Sequence, residues 1–109
     1  MNGVPVVDIP REVDLRNIHG LRAALEEAAR ADQRAVVISF EGVAFFDSSA
    51  IHTLLRFNRR LETNRQRLVA VLPQQHPLKI VLQVLEVAPN VSVAESVSEA
   101  VAAALTERT

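Results

Sequence analysis

Three consecutive polar residues, Asp47, Ser48 and Ser49, stand between an apolar run and a segment of helical spacing, and their types could support two kinds of chemistry. The first is hydrolysis, because His52 lies four residues after Ser48 and would share one helical face with it. The geometry of a serine hydrolase is nevertheless missing. There is no Gly-x-Ser-x-Gly turn, no oxyanion-hole loop precedes the serine, and Asp47 is too close to Ser48 in sequence to orient His52 from behind. We therefore predict that the protein is not an enzyme.

The second kind of chemistry is phosphorylation of a hydroxyl group. A hydroxyl at the N-terminus of a helix is a suitable place for a phosphoryl group, because the free amides of the first turn and the helix dipole favour an anion. This placement supports phosphorylation of Ser48, with Ser49 next to it. The same residue types also cap helices, so the alternative interpretation of Asp47-Ser48-Ser49 is a doubled N-cap without further function.

Other classes of site lack the residues that they need. The chain has no cysteine, and His19, His52 and His76 are scattered, so we expect surface histidines rather than metal ligands. Its three glycines, at positions 3, 20 and 42, cannot build a dinucleotide fingerprint or a P-loop. We predict no metal and no cofactor.

Composition and charge narrow the range of partners and locations. Twelve basic and thirteen acidic residues give a net charge of -1, which is not the electrostatic footprint of a nucleic-acid-binding protein. No apolar run approaches the roughly 20 residues of a membrane span, and the first residues lack the features of a signal peptide. We expect a soluble, unprocessed, cytoplasmic protein with one domain over residues 1–109, no nucleic-acid partner and no direct membrane insertion.

The elements that must position Ser48 are a buried strand before it and an amphipathic helix after it. Residues 35–40 are β-branched and apolar on both alternating faces, which is typical of a strand covered on both sides. After Ser49 the period changes, and an apolar stripe runs along one side of a helix while arginines occupy the other. The stripe consists of Ala50, Leu54, Phe57 and Leu61, and the arginines are Arg56, Arg59 and Arg60. We expect Asn64 to end this helix in a left-handed conformation.

Three further strands are predicted along the chain. Residues 4–10 carry prolines near each end, which places the first strand near a sheet edge, because proline lacks the amide that a central ladder requires. Residues 67–72 form the next apolar run, and residues 91–93 are short enough for another edge strand. The order βαβαβαβα predicts a single α/β domain with a mainly parallel sheet of four to five strands and about four helices.

The remaining helices are predicted from apolar spacing and from capping residues. Asn17 can cap the first helix, and Asp14 is also of a residue type that caps helices. Pro77 begins another helix, and Ser96 or Ser98 caps the last one. The apolar positions are Ile18, Leu21, Leu25 and Ala28 in the first of these helices, Leu78, Val81, Leu82 and Leu85 in the second, and Val97, Ala100, Val101, Ala104 and Leu105 in the last.

The segment at residues 42–51 resembles the signature of the STAS family, in which an apolar strand is followed by a pattern like gly-val-x-phe-x-Asp-Ser-Ser-Gly-Leu. The resemblance extends through most of the chain. Glu12-Val13-Asp14 is similar to the glu-leu-asp that precedes the family's first helix, and Ser96–Ala100 is similar to its C-terminal ser-x-x-glu-ala. Two positions depart from the pattern. Ser39 stands where an acidic or amide residue is common, and Ala50 stands where the family usually has glycine, so that an added methyl would narrow a partner's approach to the backbone.

The resemblance implies a fold with most helices on one face of the sheet and a function as an anti-sigma factor antagonist. In that family the anti-sigma factor is a serine kinase of the GHKL ATPase fold, which supplies nucleotide and magnesium and phosphorylates the serine that matches Ser48. The unphosphorylated antagonist binds the anti-sigma factor and frees a sigma factor, and a phosphate of about -1.5 to -2 charge disfavours that contact. A serine phosphatase acting on phospho-Ser48 would reset the switch. The implied partner-binding residues are Asp14, Asp47, Ser48, Ser49, Ala50 and His52.

Members of the family also have roles of a different class. Some STAS domains are cytoplasmic subunits of lipid ABC transporters, and others are scaffolds in signalling complexes without a phosphate switch. An adjacent gene for a GHKL-type serine kinase would favour the switch, whereas adjacent permease and ATPase genes would favour the transporter subunit. The residues alone leave this choice open.

The missing catalytic constellation leads to a negative prediction. We expect the isolated protein to hydrolyse neither p-nitrophenyl esters nor nucleoside triphosphates, because no group is placed to activate Ser48 as a nucleophile. Release of nitrophenolate and of inorganic phosphate measures both activities. Ester hydrolysis that disappears in Ser48→Ala would contradict this prediction.

Overall fold

The computed structural model describes residues 3–31, 34–79, 83 and 87–106. Strands and helices alternate in this part of the chain. The strands are β1 (Val6–Asp8), β2 (Glu12–Val13), β3 (Ala35–Ser39), β4 (Phe45–Phe46), β5 (Arg67–Val71) and β6 (Val91–Ala94). The α-helices are α1 (Ile18–Ala31), α2 (Ser48–Thr63) and α3 (Val97–Thr106), and a single 3-10 turn covers Pro77–Lys79.

Four of the strands form one parallel sheet in the order β1-β3-β5-β6. Val37 of β3 lies between Val6 of β1 and Val69 of β5 in the register of this sheet. The prediction of a mainly parallel sheet in an α/β domain is confirmed. The first strand and Val91–Ala94 lie at the two edges, as predicted from the prolines and from the short final strand.

Strand β3 is buried along its whole length and has a hydrophobic core on each side. Val36 and Ile38 belong to the larger core, together with apolar side chains of α1 and α2. Val37 belongs to the smaller core, together with apolar side chains of α3. Helices α1 and α2 therefore share one face of the sheet, and α3 covers the other.

The remaining two strands form a separate parallel pair that the predicted order did not contain. Glu12 of β2 lies beside Phe45 of β4, and Val13 lies beside Phe46. Each of these strands has two residues, which is too short to produce a period in the sequence. Of the predicted helix from Pro77, the structure describes the 3-10 turn over Pro77–Lys79 and the helical residue Gln83. Its apolar positions Val81, Leu82 and Leu85 lie outside the described residues.

The end of α2 differs from the prediction. Asn64 has φ -89° and ψ 7°, and the left-handed residue is Arg65, with φ 60°. The amide of Gln66 donates to the Leu61 carbonyl at 2.7 Å, and the amide of Arg65 donates to the Glu62 carbonyl at 3.1 Å. This pair of bonds is the Schellman motif, in which the left-handed residue follows the C-cap by one position. The helix therefore ends one residue later than the asparagine suggested.

The predicted cap of α1 is also wrong. Asn17 immediately precedes the helix, but its side-chain oxygen accepts from the Asp14 amide at 3.0 Å, and its side-chain nitrogen donates to the Glu12 carbonyl at 2.8 Å. The side chain thus closes the preceding loop instead of the first helical turn. At α3 the prediction holds for Ser96, whose hydroxyl accepts from the Glu99 amide at 3.2 Å.

The packing of α2 can be tested at Leu54, which is 1% exposed in the larger core. Replacing Leu54 with Asp buries a charge without a partner, and we expect a loss of several kcal/mol in the free energy of unfolding. Urea unfolding followed by circular dichroism measures the loss. The control is Arg59→Asp on the exposed side of the same helix, for which we expect a change within about 0.5 kcal/mol. Equal stability of Leu54→Asp and the parent would show that the helix face is misassigned.

Candidate functional site

The predicted site lies where β4 ends and α2 begins. The parallel pairing of β2 with β4 brings the loop after β2 to the same place, because the Asp47 amide donates to the Val13 carbonyl at 3.2 Å. Asp14, the next residue along the chain, therefore lies beside the start of α2. Two segments separated by more than thirty residues in sequence form one surface here.

Asp47 is the N-cap of α2. Its backbone is extended, with φ -84° and ψ 179°, and its Oδ1 atom accepts from the Ala50 amide at 3.0 Å. The same oxygen accepts from the Ser49 hydroxyl at 2.6 Å. Asp47 thus satisfies a free amide of the first turn and holds the Ser49 side chain in place. The interpretation of a doubled cap is corrected, because the aspartate alone caps the helix.

Ser48 is the first residue of α2, and its environment differs from that of Ser49. The Ser48 side chain is exposed and makes no hydrogen bond with any residue in the described part of the chain. The Ser49 side chain is half-buried, and its hydroxyl is already bonded to Asp47. Of the two hydroxyl groups, that of Ser48 is the one available to an incoming protein.

The Asp14 carboxylate is held by the loop that follows it. It accepts from the Arg16 amide at 2.8 Å and forms an ion pair with the Arg16 guanidinium, also at 2.8 Å. The interpretation of Asp14 as a cap of α1 is corrected, because its side chain bonds to Arg16 before the helix begins at Ile18. Asp14 instead lies close enough to the Asp47 carboxylate for its charge to act on it.

Both carboxylates of the site are favoured in the charged form. The Ser49 hydroxyl and then the Ala50 amide lower the pKa of Asp47, while its partial burial and the negative charge of Asp14 act in the opposite direction. Hydrogen bonds from Arg16 lower the pKa of Asp14. Two carboxylates are therefore ionised beside Ser48 at neutral pH, close enough for one to influence the other, and the Arg16 guanidinium pairs with that of Asp14.

Two exposed apolar side chains border this surface and were not predicted as site residues. Leu15, which follows Asp14, is 72% exposed, and Phe45 is 51% exposed. A sequence signal existed for Leu15, which stands alone in a polar loop outside any apolar period. Phe45 could not be separated from Phe46 without the pairing of β4, which turns the first ring outward and the second inward. Aromatic side chains such as that of Phe45 are enriched in protein interfaces.

The described residues contain no group of three histidine or carboxylate side chains that could hold a metal ion. Within the same residues, no helix is long and apolar enough to cross a membrane.

With this geometry in place, comparison with known proteins identifies the family. The model of the STAS domain matches residues 1–100, which is most of the chain. The protein belongs to the STAS family. A search of curated proteins gives no match.

Two solved structures have the same fold as this STAS domain. One is the anti-sigma factor antagonist SpoIIAA in its unphosphorylated form, with 21% identity and a TM-score of 0.70 over 94% of this chain and 89% of that chain. The other is the Bacillus cell fate determinant SpoIIAA in its phosphorylated form, with 26% identity and a TM-score of 0.66 over 90% of this chain and 87% of that chain. The similarity extends over nearly the whole of both proteins.

The last two predicted site residues, Ala50 and His52, differ in their exposure to solvent. Ala50, which replaces the glycine usual in the STAS signature, has no exposed surface, and its methyl group lies in the larger core. The expectation that Ala50 contacts a partner, or narrows a partner's approach, is therefore corrected. His52 is exposed one helical turn after Ser48, so it lies on the surface where it was predicted.

The Asp47 cap leads to a prediction about pH. The folded-state pKa of Asp47 is below its ordinary value, so its ionisation stabilises the fold above the unfolded pKa, and this contribution is lost as the pH falls through the folded pKa. We expect Asp47→Ala to lower the urea midpoint at pH 7, and we expect the difference from the parent to shrink between pH 5 and about pH 2.

Urea unfolding at several pH values measures this dependence. Glu62→Gln is the control for the loss of one carboxylate, because the Glu62 side chain is exposed and makes no hydrogen bond in the described structure. A difference between Asp47→Ala and the parent that stays constant down to pH 2 would show that the cap does not depend on the charge.

Proposed function

We propose that this STAS protein is an anti-sigma factor antagonist that acts as a phosphorylation-controlled binding switch. In the unphosphorylated form it binds an anti-sigma factor serine kinase and frees a sigma factor, and phosphorylation of Ser48 releases the kinase. The observation that carries the proposal is the exposed, unbonded Ser48 hydroxyl at the N-terminus of α2. The likeness to SpoIIAA, an anti-sigma factor antagonist with a phosphorylated form, supports the same role.

The hydrogen bonds support Ser48 rather than Ser49 as the phosphorylated residue. Phosphorylation of Ser49 would first have to break its 2.6 Å bond to Asp47 and would then place the phosphate against the capping carboxylate. Phosphorylation of Ser48 breaks no hydrogen bond in the described structure. Its position at the first residue of α2 also lets the helix dipole stabilise the added charge.

The phosphate acts on the surface rather than on the fold. It adds about -1.5 to -2 charge to a surface where Asp14 and Asp47 are already ionised. A partner that covers Ser48 in the unphosphorylated form would have to bury this charge beside two carboxylates. The resulting repulsion and desolvation weaken the complex, while the core beneath Ala50 is unchanged.

The partner proteins catalyse the addition and the removal of the phosphate. The kinase brings the nucleotide and magnesium, and a serine phosphatase removes the phosphate to restore binding. Both reactions would take place in the cytoplasm. The two exposed apolar side chains, Leu15 and Phe45, support a protein partner because they border the charged surface and would be covered in a complex.

The switch predicts different behaviour for two substitutions of the same residue. We expect Ser48→Ala to bind the kinase as the parent does and to accept no phosphate. We expect Ser48→Asp to bind at least about tenfold more weakly, or about 1.4 kcal/mol, while its folding stability stays within about 1 kcal/mol of the parent. Titration calorimetry against a candidate GHKL-type serine kinase from the same organism measures the affinities, and circular dichroism with urea measures stability.

The matched control is Ser98→Asp, which introduces the same charge at an exposed serine in the first turn of α3 on the opposite face of the sheet. This variant should bind as the parent does. Intact mass and fragmentation after incubation with kinase and ATP locate the phosphate. Equal affinity of the parent, Ser48→Ala and Ser48→Asp would contradict the switch and favour a transporter subunit or a scaffold.

A further inference from the structure

A groove of about 350 Å³ runs between α1 and α2 on the side away from the sheet. Leu25 and Phe57, which are almost fully buried, contribute its apolar floor, and Thr53 adds a hydroxyl group. The charged residues that line it are Arg22, Glu26, Arg56 and Arg60. Three guanidinium groups and one carboxylate thus surround an apolar floor.

Two of these three arginines form no ion pair among the described residues. In the described part of the chain, the side chains of Arg22 and Arg56 make no ion pair or hydrogen bond with another residue. Arg60 pairs with Glu26 at 3.7 Å, but both side chains are nearly half exposed, so the pair is weak and can open. The lining carries a formal charge of +2, from three arginines and one glutamate, on a chain whose net charge is -1.

The positive surface continues along α2. A neighbouring depression of about 270 Å³ shares Arg56 and is lined by Arg59, His52 and Leu55. The guanidinium groups of Arg56, Arg59 and Arg60 therefore occupy about one turn on the exposed side of the helix, next to apolar side chains. Arg56, Arg59 and Arg60 lie more than two turns after Asp47, the acidic cap of this helix.

We propose that this groove, lined by Arg22, Arg56 and Arg60, binds an acidic segment of a protein partner that also carries apolar side chains. A guanidinium group matches a carboxylate with two parallel hydrogen bonds, and carboxylates spaced along a peptide can meet the separate arginines. The aliphatic stems of the arginine side chains, together with the small exposed part of Phe57, give an apolar side chain of the same peptide a place to pack.

Other anionic ligands fit this groove less well. Glu26 lies among the arginines and repels any anion, so a chain that brings separate carboxylates to separate arginines fits better than the concentrated charge of a polyphosphate or a nucleic-acid backbone. A carboxylate of a peptide can instead replace Glu26 as the partner of Arg60, because the existing pair is long and exposed.

The groove is separate from Ser48, and its proposed binding of a peptide does not depend on the proposed switch. Arg56 lies eight residues after Ser48 on α2, which corresponds to about 12 Å along the helix axis, so a phosphate on Ser48 does not occupy the groove. The two surfaces can be tested independently.

Fluorescence anisotropy with a labelled synthetic peptide tests the proposal. The peptide contains leucines in helical spacing flanked by glutamates, and a second peptide has glutamine in place of every glutamate. We expect the first peptide to bind the parent protein and the second not to bind. We expect the double variant Arg22→Ala with Arg56→Ala to bind the first peptide at least about tenfold more weakly.

The control is Arg11→Ala with Arg30→Ala, which removes the same charge from exposed positions outside the groove lining and should change the affinity less than about twofold. Circular dichroism verifies that both variants are folded. If the two double variants weaken binding equally, the peptide is held by non-specific charge attraction, and the proposal is overturned.

Two other ligands complete the test. Inorganic pyrophosphate and vesicles containing phosphatidylserine are titrated against the parent and against the groove variant. We expect neither to bind more tightly than the glutamate peptide. Tighter binding of either ligand that is lost in the groove variant would assign the groove to that ligand and overturn the peptide proposal, as would the absence of peptide binding to the parent.

Discussion

The burial of β3 on both faces is the constraint on which the rest of this structure depends. Its five residues, Ala35–Ser39, pair with β1 on one side and with β5 on the other, so the strand has neither a free edge nor a free face. Each face then requires a helical layer to cover its apolar side chains. Helices α1 and α2 cover one face and α3 covers the other, which leaves the N-terminus of α2 at the surface.

A contact between two aromatic rings connects this core to the candidate site. Phe40 follows β3 and is fully buried, and its ring meets the ring of Phe46 edge to face, with centroids 5.9 Å apart and an angle of 85° between the ring planes. Phe46 is the last residue of β4, so the contact fixes the position of the next residue, Asp47. The carboxylate of Asp47 then orders the first turn of α2 and bonds to the Ser49 hydroxyl, whereas the Ser48 hydroxyl makes no hydrogen bond in the described structure.

Helix α2 has three functions in this arrangement. Its apolar side, which includes Leu54, belongs to the core, and its first turn carries the serine of the proposed switch. Its outer side contributes Arg56 and Arg60 to the groove with α1. A single helix therefore carries the Ser48 site and its two carboxylates at the start and the arginine groove along its length, and an association at either one need not disturb the sheet.

The sequence by itself determined the alternating α/β pattern, the buried strand, the apolar side of α2 and the residue types at its start, because these features are local and periodic. It did not determine which serine is free, since that depends on the bond from Ser49 to Asp47. Nor did it show that Ala50 is buried or that β2 pairs with β4. The arginine groove could be found only in the tertiary structure. Arg22 and Arg56 lie on different helices, and no periodic pattern in the sequence indicates that these two helices pack side by side. Local spacing identifies these side chains, but only long-range packing determines which of them lie next to one another.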